Sequence, residues 1–118
     1  GTKEYDNYYR ADGTLEQVTF YKDETTKRVV IYRENGTISR VGFYRKDGTL
    51  EQVGFYRADG TKEWVVFYRA DGTKEQEIYY RADGTKKQVT FYRADGTKER
   101  VGFYNSDGRI IKSELFDL

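Results

Sequence analysis

The stretch Phe-Tyr-Arg-Ala-Asp-Gly-Thr-Lys-Glu begins at Phe55, Phe67 and Phe91, and Tyr79 opens a close variant of it. The step between copies is twelve residues, and weaker copies reach back to Tyr8 and forward to Phe103. Self-similarity at a fixed short period marks an array of like structural units. A residue that recurs in every unit is there to build the unit. Function is therefore to be sought where the repeat is broken, or in what the repeated surface can hold.

Each unit has the pattern of a strand. Between Thr61 and Gly72, Val65 and Phe67 recur at a step of two among Thr and Tyr, which are strand formers. Arg-Ala-Asp-Gly then reads as a type I turn, with Ala and Asp at its centre and Gly supplying positive φ for a G1 bulge. A unit is thus a strand of roughly nine residues and a loop of about three. Such a loop at Ala58-Asp59-Gly60 pairs residues whose numbers sum to 118, so Val53 faces Val65 and Phe55 faces Glu63. Repeated at each turn, it lines up Val18, Val29, Val41, Val53, Val65, Val89 and Val101 in one column. The turn Lys22-Asp23-Glu24-Thr25 is shorter and lacks Gly, and a loop of Asp23 and Glu24 alone still pairs Val18 with Val29.

The expected fold is all-β: an open antiparallel meander of about ten strands. Barrel closure needs shear, and this register accumulates almost none, so the sheet is expected to be twisted, open and largely single-layered. One face carries the Val column and Phe, with Arg57 diagonal to Glu63 within reach of an ion pair. The other pairs Tyr56 with Lys62, Tyr68 with Lys74, Tyr80 with Lys86 and Tyr92 with Lys98. Lysine stems can lie over tyrosine rings there. The column ends at Asp6 and Ser113, whose polarity blunts the edges. If the Val/Phe face is hidden, a second copy of the chain would cover it, making a homodimer through that face.

Composition narrows the chemistry. The 118 residues make one domain by size, with edge units at about 1–13 and 105–118. The sequence reads as a fragment of a larger protein. Its 21 basic and 20 acidic side chains balance to +1, which gives no long-range pull toward nucleic acid or an anionic membrane. The chain has no Cys, His, Met or Pro. Disulfides, thiolate or imidazole metal sites, Cys nucleophiles and Ser-His-Asp triads are therefore excluded. Asp-Gly recurs without calcium-loop spacing, and glycines twelve apart on turns cannot form a phosphate loop. No apolar run is long enough for a transmembrane helix. No catalytic residue, metal ligand or cofactor site is predicted.

The breaks in the repeat cluster. Trp64 and Val66 stand where neighbouring units have Gln and Thr or Gly, Glu77 replaces the column Val, and Ile78 follows it. By the pairing above, Trp64 faces Ile78, with Gly54 on its other side and Tyr56, Tyr68 and Leu50 nearby. This predicts an apolar patch on the Tyr/Lys face, opposite a hole in the Val column at Glu77. Two readings stay open: a contact site anchored by Trp64, or local packing in which the indole covers its glycine neighbour.

The rhythm Tyr56-Arg57-Ala58-Asp59-Gly60-Thr61 resembles the short β-hairpin tandem repeats of bacterial proteins. Among these are the Tyr-Asp repeats of surface toxins, the aromatic-Gly repeats of glucan-binding modules and the membrane-occupation (MORN) type. The twelve-residue period is nearest to a family of short Tyr/Asp-Gly tandem repeats. The resemblance implies a non-enzymatic structural or interaction module, secreted or on the cell surface, with a protein or glycan partner. In the glucan-binding type aromatic residues stack on sugar rings, which here would implicate the tyrosines and Trp64.

Overall fold

The computed structural model describes residues 4–117. They form ten strands: β1 (Tyr5–Tyr9), β2 (Leu15–Lys22), β3 (Thr25–Tyr32), β4 (Ile38–Tyr44), β5 (Leu50–Tyr56), β6 (Lys62–Tyr68), β7 (Lys74–Tyr80), β8 (Lys86–Tyr92), β9 (Lys98–Tyr104) and β10 (Ile110–Leu115). The strands pair in sequence order, each antiparallel to the next, in one open sheet with β1 and β10 at its edges. The fold class follows the expectation. The molecule is a board of 50 × 32 × 23 Å, with a radius of gyration of 17.0 Å. A compact domain of this length would have about 13.5 Å.

The turns also form as their residues dictate. In the β5–β6 hairpin, Gly60 N–H donates to Arg57 O at 2.9 Å and Arg57 N–H to Thr61 O at 2.8 Å, with Gly60 at φ 89°. Asp59 braces the loop by accepting from Thr61 N–H at 2.9 Å and Thr61 Oγ1–H at 2.6 Å. At Lys22–Thr25 the loop is the two residues Asp23 and Glu24, with φ of 53° and 67°. Positive φ at both centres is the type I′ turn that suits strand twist.

The register departs from the expectation by one residue. Tyr56 pairs with Lys62 as the loop requires, but Phe55 pairs with Trp64, leaving Glu63 opposite nothing. Every hairpin carries such a bulge. A slip of one residue moves a strand's side chains to the other face. The single Val column therefore does not exist, and successive strands present their valines to opposite sides. One face has the row Val18, Val30, Val41, Gly54, Val65, Ile78, Val89, Gly102. The other has Thr19, Val29, Gly42, Val53, Val66, Glu77, Thr90, Val101. Val18 faces Val30, not Val29, for the same reason.

The bulge solves a problem peculiar to one layer. With no second layer, a face holding every Val and Phe would stand in water, at roughly 25 cal/mol per Å² of apolar surface. Sharing the apolar residues lets each face close its own central row. Val65 and Val66, adjacent in sequence and on opposite sides, are 2% and 1% exposed. The bulged residues Glu16, Glu51, Glu63, Glu75 and Glu99 are turned out to solvent. The Tyr–Lys pairs occur as expected, but Tyr56 and Tyr80 lie on one face and Tyr68 and Tyr92 on the other. The rows end in polar residues, Asn7 and Ser113 on one face and Asp6 and Glu114 on the other, so Asp6 and Ser113 do not share a column.

Strand glycines make room for rings. A Cβ on Gly54 would meet Tyr56 Cε2 at 3.6 Å, ordinary contact. Thr occupies the equivalent place at Thr90. Gly54→Thr is therefore expected to stabilise the sheet by about 0.5–1 kcal/mol, seen as a higher urea midpoint. At Gly102 the same atom would press Ile110 Cδ1 at 3.3 Å, and Gly102→Thr should gain less.

Arginine staples the bulges. Arg57 does not pair with Glu63; the described ion pairs are Lys74–Glu77 and Lys112–Glu114. Its guanidinium donates from Nη1 to Thr61 Oγ1 at 3.3 Å and Lys62 O at 3.1 Å, and from Nη2 to Tyr80 O at 2.6 Å. It thus ties its own turn to the next turn on the same rim. Arg10, Arg33, Arg45, Arg69 and Arg81 do the same, reaching the Tyr32, Tyr56, Tyr68, Tyr92 and Tyr104 carbonyls, and Arg93 ties its turn to the Phe116 carbonyl just past β10. The fork geometry of arginine matches carbonyls left divergent by a bulge.

Candidate functional site

The interruption at β6 and β7 builds one buried polar cluster. Trp64 faces Tyr79 and Phe55, not Ile78 and Gly54. Its ring stacks on Phe55 at 4.6 Å and 19°, and on Tyr79 at 5.6 Å and 8°. The three rings stand on adjacent strands like books on a shelf, so both faces of the indole are covered. Trp64, Val66, Tyr68 and Glu77 share this face, while Ile78 and Tyr56 lie on the opposite one. Leu50 leans over Gly42, its Cδ1 3.5 Å from where a Cβ would be, on the Trp64 side but away from the cluster. The predicted patch is thus divided between the two faces.

Glu77 is not a hole. It is 4% exposed and fills its place in the row with a carboxylate that accepts four hydrogen bonds. Oε2 accepts from Trp64 Nε1 at 3.1 Å and Tyr79 OH at 2.8 Å. Oε1 accepts from Lys74 Nζ and Tyr92 OH, each at 2.8 Å. The Lys74 ammonium also lies 5.7 Å from the centre of the Tyr92 ring. Burial alone would push the Glu77 carboxyl up, but hydrogen bonds from Lys74, Tyr92 and Tyr79 outweigh it and hold the group below its ordinary 4.5. Burial, then the hydrogen bond to Glu77, pushes Tyr79 up to about 12 and raises Tyr92 as well.

This arrangement is chemically quiet. Glu77 stays ionised with its lone pairs occupied, and both phenols stay neutral, so none of the three exchanges a proton near neutral pH. No cluster of three or more Asp or Glu that could hold a metal occurs among the described residues. Phe55, Lys74, Tyr79 and Tyr92 complete the cluster and were not among the predicted patch. One signal for them was in the repeat: Tyr79 stands where Phe55, Phe67 and Phe91 stand in other units. Trp64, Glu77 and Tyr79 are one compensated exchange, in which a buried acceptor and its donors arrive together.

No family model matches the chain, and no curated protein matches it. Solved structures do share the fold. The GtfA/B complex bound to UDP and GlcNAc is similar with a TM-score of 0.65 and 14% identity, over 87% of this chain and 23% of that one. A Staphylococcus aureus TarM mutant in complex with fondaparinux, alpha-GlcNAc-glycerol and UDP has a TM-score of 0.63 and 13% identity, over 83% and 20%. Accessory secretory proteins 1, 2 and 3 of Streptococcus pneumoniae give 0.61 and 14%, over 87% and 19%. At such identity the likeness is one of fold alone. The chain spans 19–23% of the length of these solved chains.

Proposed function

We propose that the chain is a non-catalytic structural and interaction module of a larger bacterial, surface-exposed protein. The observation that carries this is a single-layer sheet whose two central rows are both closed by its own side chains. Such a board needs no covering layer, so it can hold its neighbours apart while leaving two faces and two rims available for contact. Its likeness to about a fifth of longer streptococcal and staphylococcal chains supports a place within a larger protein.

Light scattering and small-angle scattering on the isolated chain test the reading. A folded monomer with a radius of gyration near 17 Å is expected. A face-to-face dimer or a compact particle would count against it. The bulges disfavour such a dimer, because they divide the Val/Phe face between both sides of the sheet. Large exposed apolar residues lie instead on the edge strands, at Tyr5, Tyr8 and Tyr9 and at Ile110, Ile111 and Leu115. Sugar binding through the Tyr ladder and Trp64 is the rival. With Phe55 and Tyr79 against its ring, Trp64 offers a sugar only its edge. A glycan-array signal that disappears in Trp64→Ala would replace the structural reading with that one.

A further inference from the structure

The seven arginine staples leave one gap on the rims. It lies between the Lys22–Thr25 turn and the next turn on the same rim, at Tyr44–Lys46. Lys22 pairs with Thr25, next to the Tyr21–Thr26 pair, and so holds the place of the stapling arginine. Thr26 O and Tyr44 O correspond to Lys62 O and Tyr80 O, the two carbonyls that Arg57 joins. No guanidinium joins the corresponding pair. In its place is a cavity of about 460 Å³, lined by Lys22, Thr26, Lys27, Tyr44 and Lys46 among others.

The charge of this slot differs from that of the repeat. Around Arg57 the corresponding residues are Arg57, Glu63 and Ala82; here they are Lys22, Lys27 and Lys46. Exchanging Glu for Lys adds two positive charges and exchanging Ala for Lys adds one, while Thr26 at the place of Lys62 and Asp23 at the place of Ala58 each take one away, so the slot is more positive than the repeat by one charge. Lys22 and Lys27 flank one turn and Lys46 lies in the next turn on the same rim, and all three line the one cavity. None of their ammonium groups makes a hydrogen bond or ion pair among the described residues. Asp23 is the carboxylate on the lining, and the Arg45 guanidinium there is engaged by Thr49 Oγ1, Leu50 O and Tyr68 O. Like charges gathered around a void repel one another unless an anion joins them.

We infer that this slot binds an oxyanion of the phosphate class, held by the ammonium groups of Lys22, Lys27 and Lys46 on a floor that includes Thr25 and Thr26. Phosphate suits the site better than carboxylate. Planar bidentate recognition of a carboxylate favours the arginine fork, and here that fork has given way to compact ammonium point charges. Binding should weaken with added salt, since the lysines are exposed. The inference goes beyond the structural role proposed above, and its failure would leave that role standing.

The test is a titration of the isotopically labelled chain with pyrophosphate, followed by amide NMR shifts. Saturable shifts at Thr25, Thr26, Lys27 and Tyr44 are expected, with the rim at Thr61, Lys62 and Tyr80 unmoved. The double variant Lys27→Glu, Lys46→Ala restores residues the repeat itself uses, so it should fold, and its affinity should fall by roughly tenfold or more. Lys22→Arg should also abolish binding, because a guanidinium reaching Tyr44 O would fill the slot. Equal shifts on both rims, unchanged affinity in the double variant, or tighter binding of citrate than of pyrophosphate would each overturn the inference. Glycerol phosphate binding as well as pyrophosphate would identify an esterified source, and binding of inorganic forms alone a free one; either supports the site.

Discussion

Glu77→Ala is expected to cost the fold about 3 kcal/mol, the largest loss from any single residue of the cluster. Removing the carboxylate empties a place in the central row and leaves Trp64 Nε1, Tyr79 OH and Tyr92 OH without their acceptor. Lys74 contributes less to the loss, since its side chain is 43% exposed and can turn to water. The triple variant Glu77→Val, Trp64→Gln, Tyr79→Phe returns the cluster to the residues of other units. It should unfold within about 1 kcal/mol of the natural chain, because a well-packed apolar replacement of a buried charge is often neutral. Urea unfolding followed by circular dichroism separates the two outcomes. A triple variant as weak as Glu77→Ala would show that the loss comes from packing and not from stranded donors.

The same carboxylate gives a dependence on pH. Its folded pKa is depressed, so its contribution is complete above the unfolded value near 4.5 and is lost as pH falls through the lower folded value. The turn aspartates Asp12, Asp47, Asp59, Asp71, Asp83 and Asp95 act with the same sign. Hydrogen bonds from the following threonine hydroxyl and amide hold each below 3.8. The urea midpoint should be level from neutral pH down to about 5 and fall below that. In the triple variant the fall should be shallower. A midpoint that rises on acidification would contradict the assignment of these groups.

Arg57→Lys is the second large effect, with an expected loss of about 2 kcal/mol. A single ammonium cannot reach Thr61 Oγ1, Lys62 O and Tyr80 O together, as the guanidinium does. The amide protons of the two turns so joined should exchange faster, while those in the middle of β6 keep their protection. Uniformly faster exchange would mean that arginine supports the sheet as a whole and does not staple neighbouring turns. Lys22→Arg is the converse experiment and should raise stability by completing its rim.

Much of the architecture was legible because it is local. Asp-Gly after a Tyr-Arg step makes the turn, alternating Val and Phe make the strand, and short loops between like units allow little but a meander. The candidate site was legible only as a place: Trp64, Val66 and Glu77 marked where the repeat changes. Its membership was misread because the pairing arithmetic left out one residue per hairpin. That residue put Ile78 and Tyr56 on the wrong side and turned Glu77 into a hole. A bulge has no local signature here, since Glu63 could as well have sat in a regular strand as outside one.

The sequence by itself therefore determined the kind of fold, its strands and turns, and the absence of cysteine and histidine chemistry. Only the tertiary structure decided which face each side chain occupies. A lone sheet must satisfy water on both sides, and that demand is met by no single hairpin but by all of them in register. From it follow the bulges, the arginines that bridge them and the buried place of Glu77.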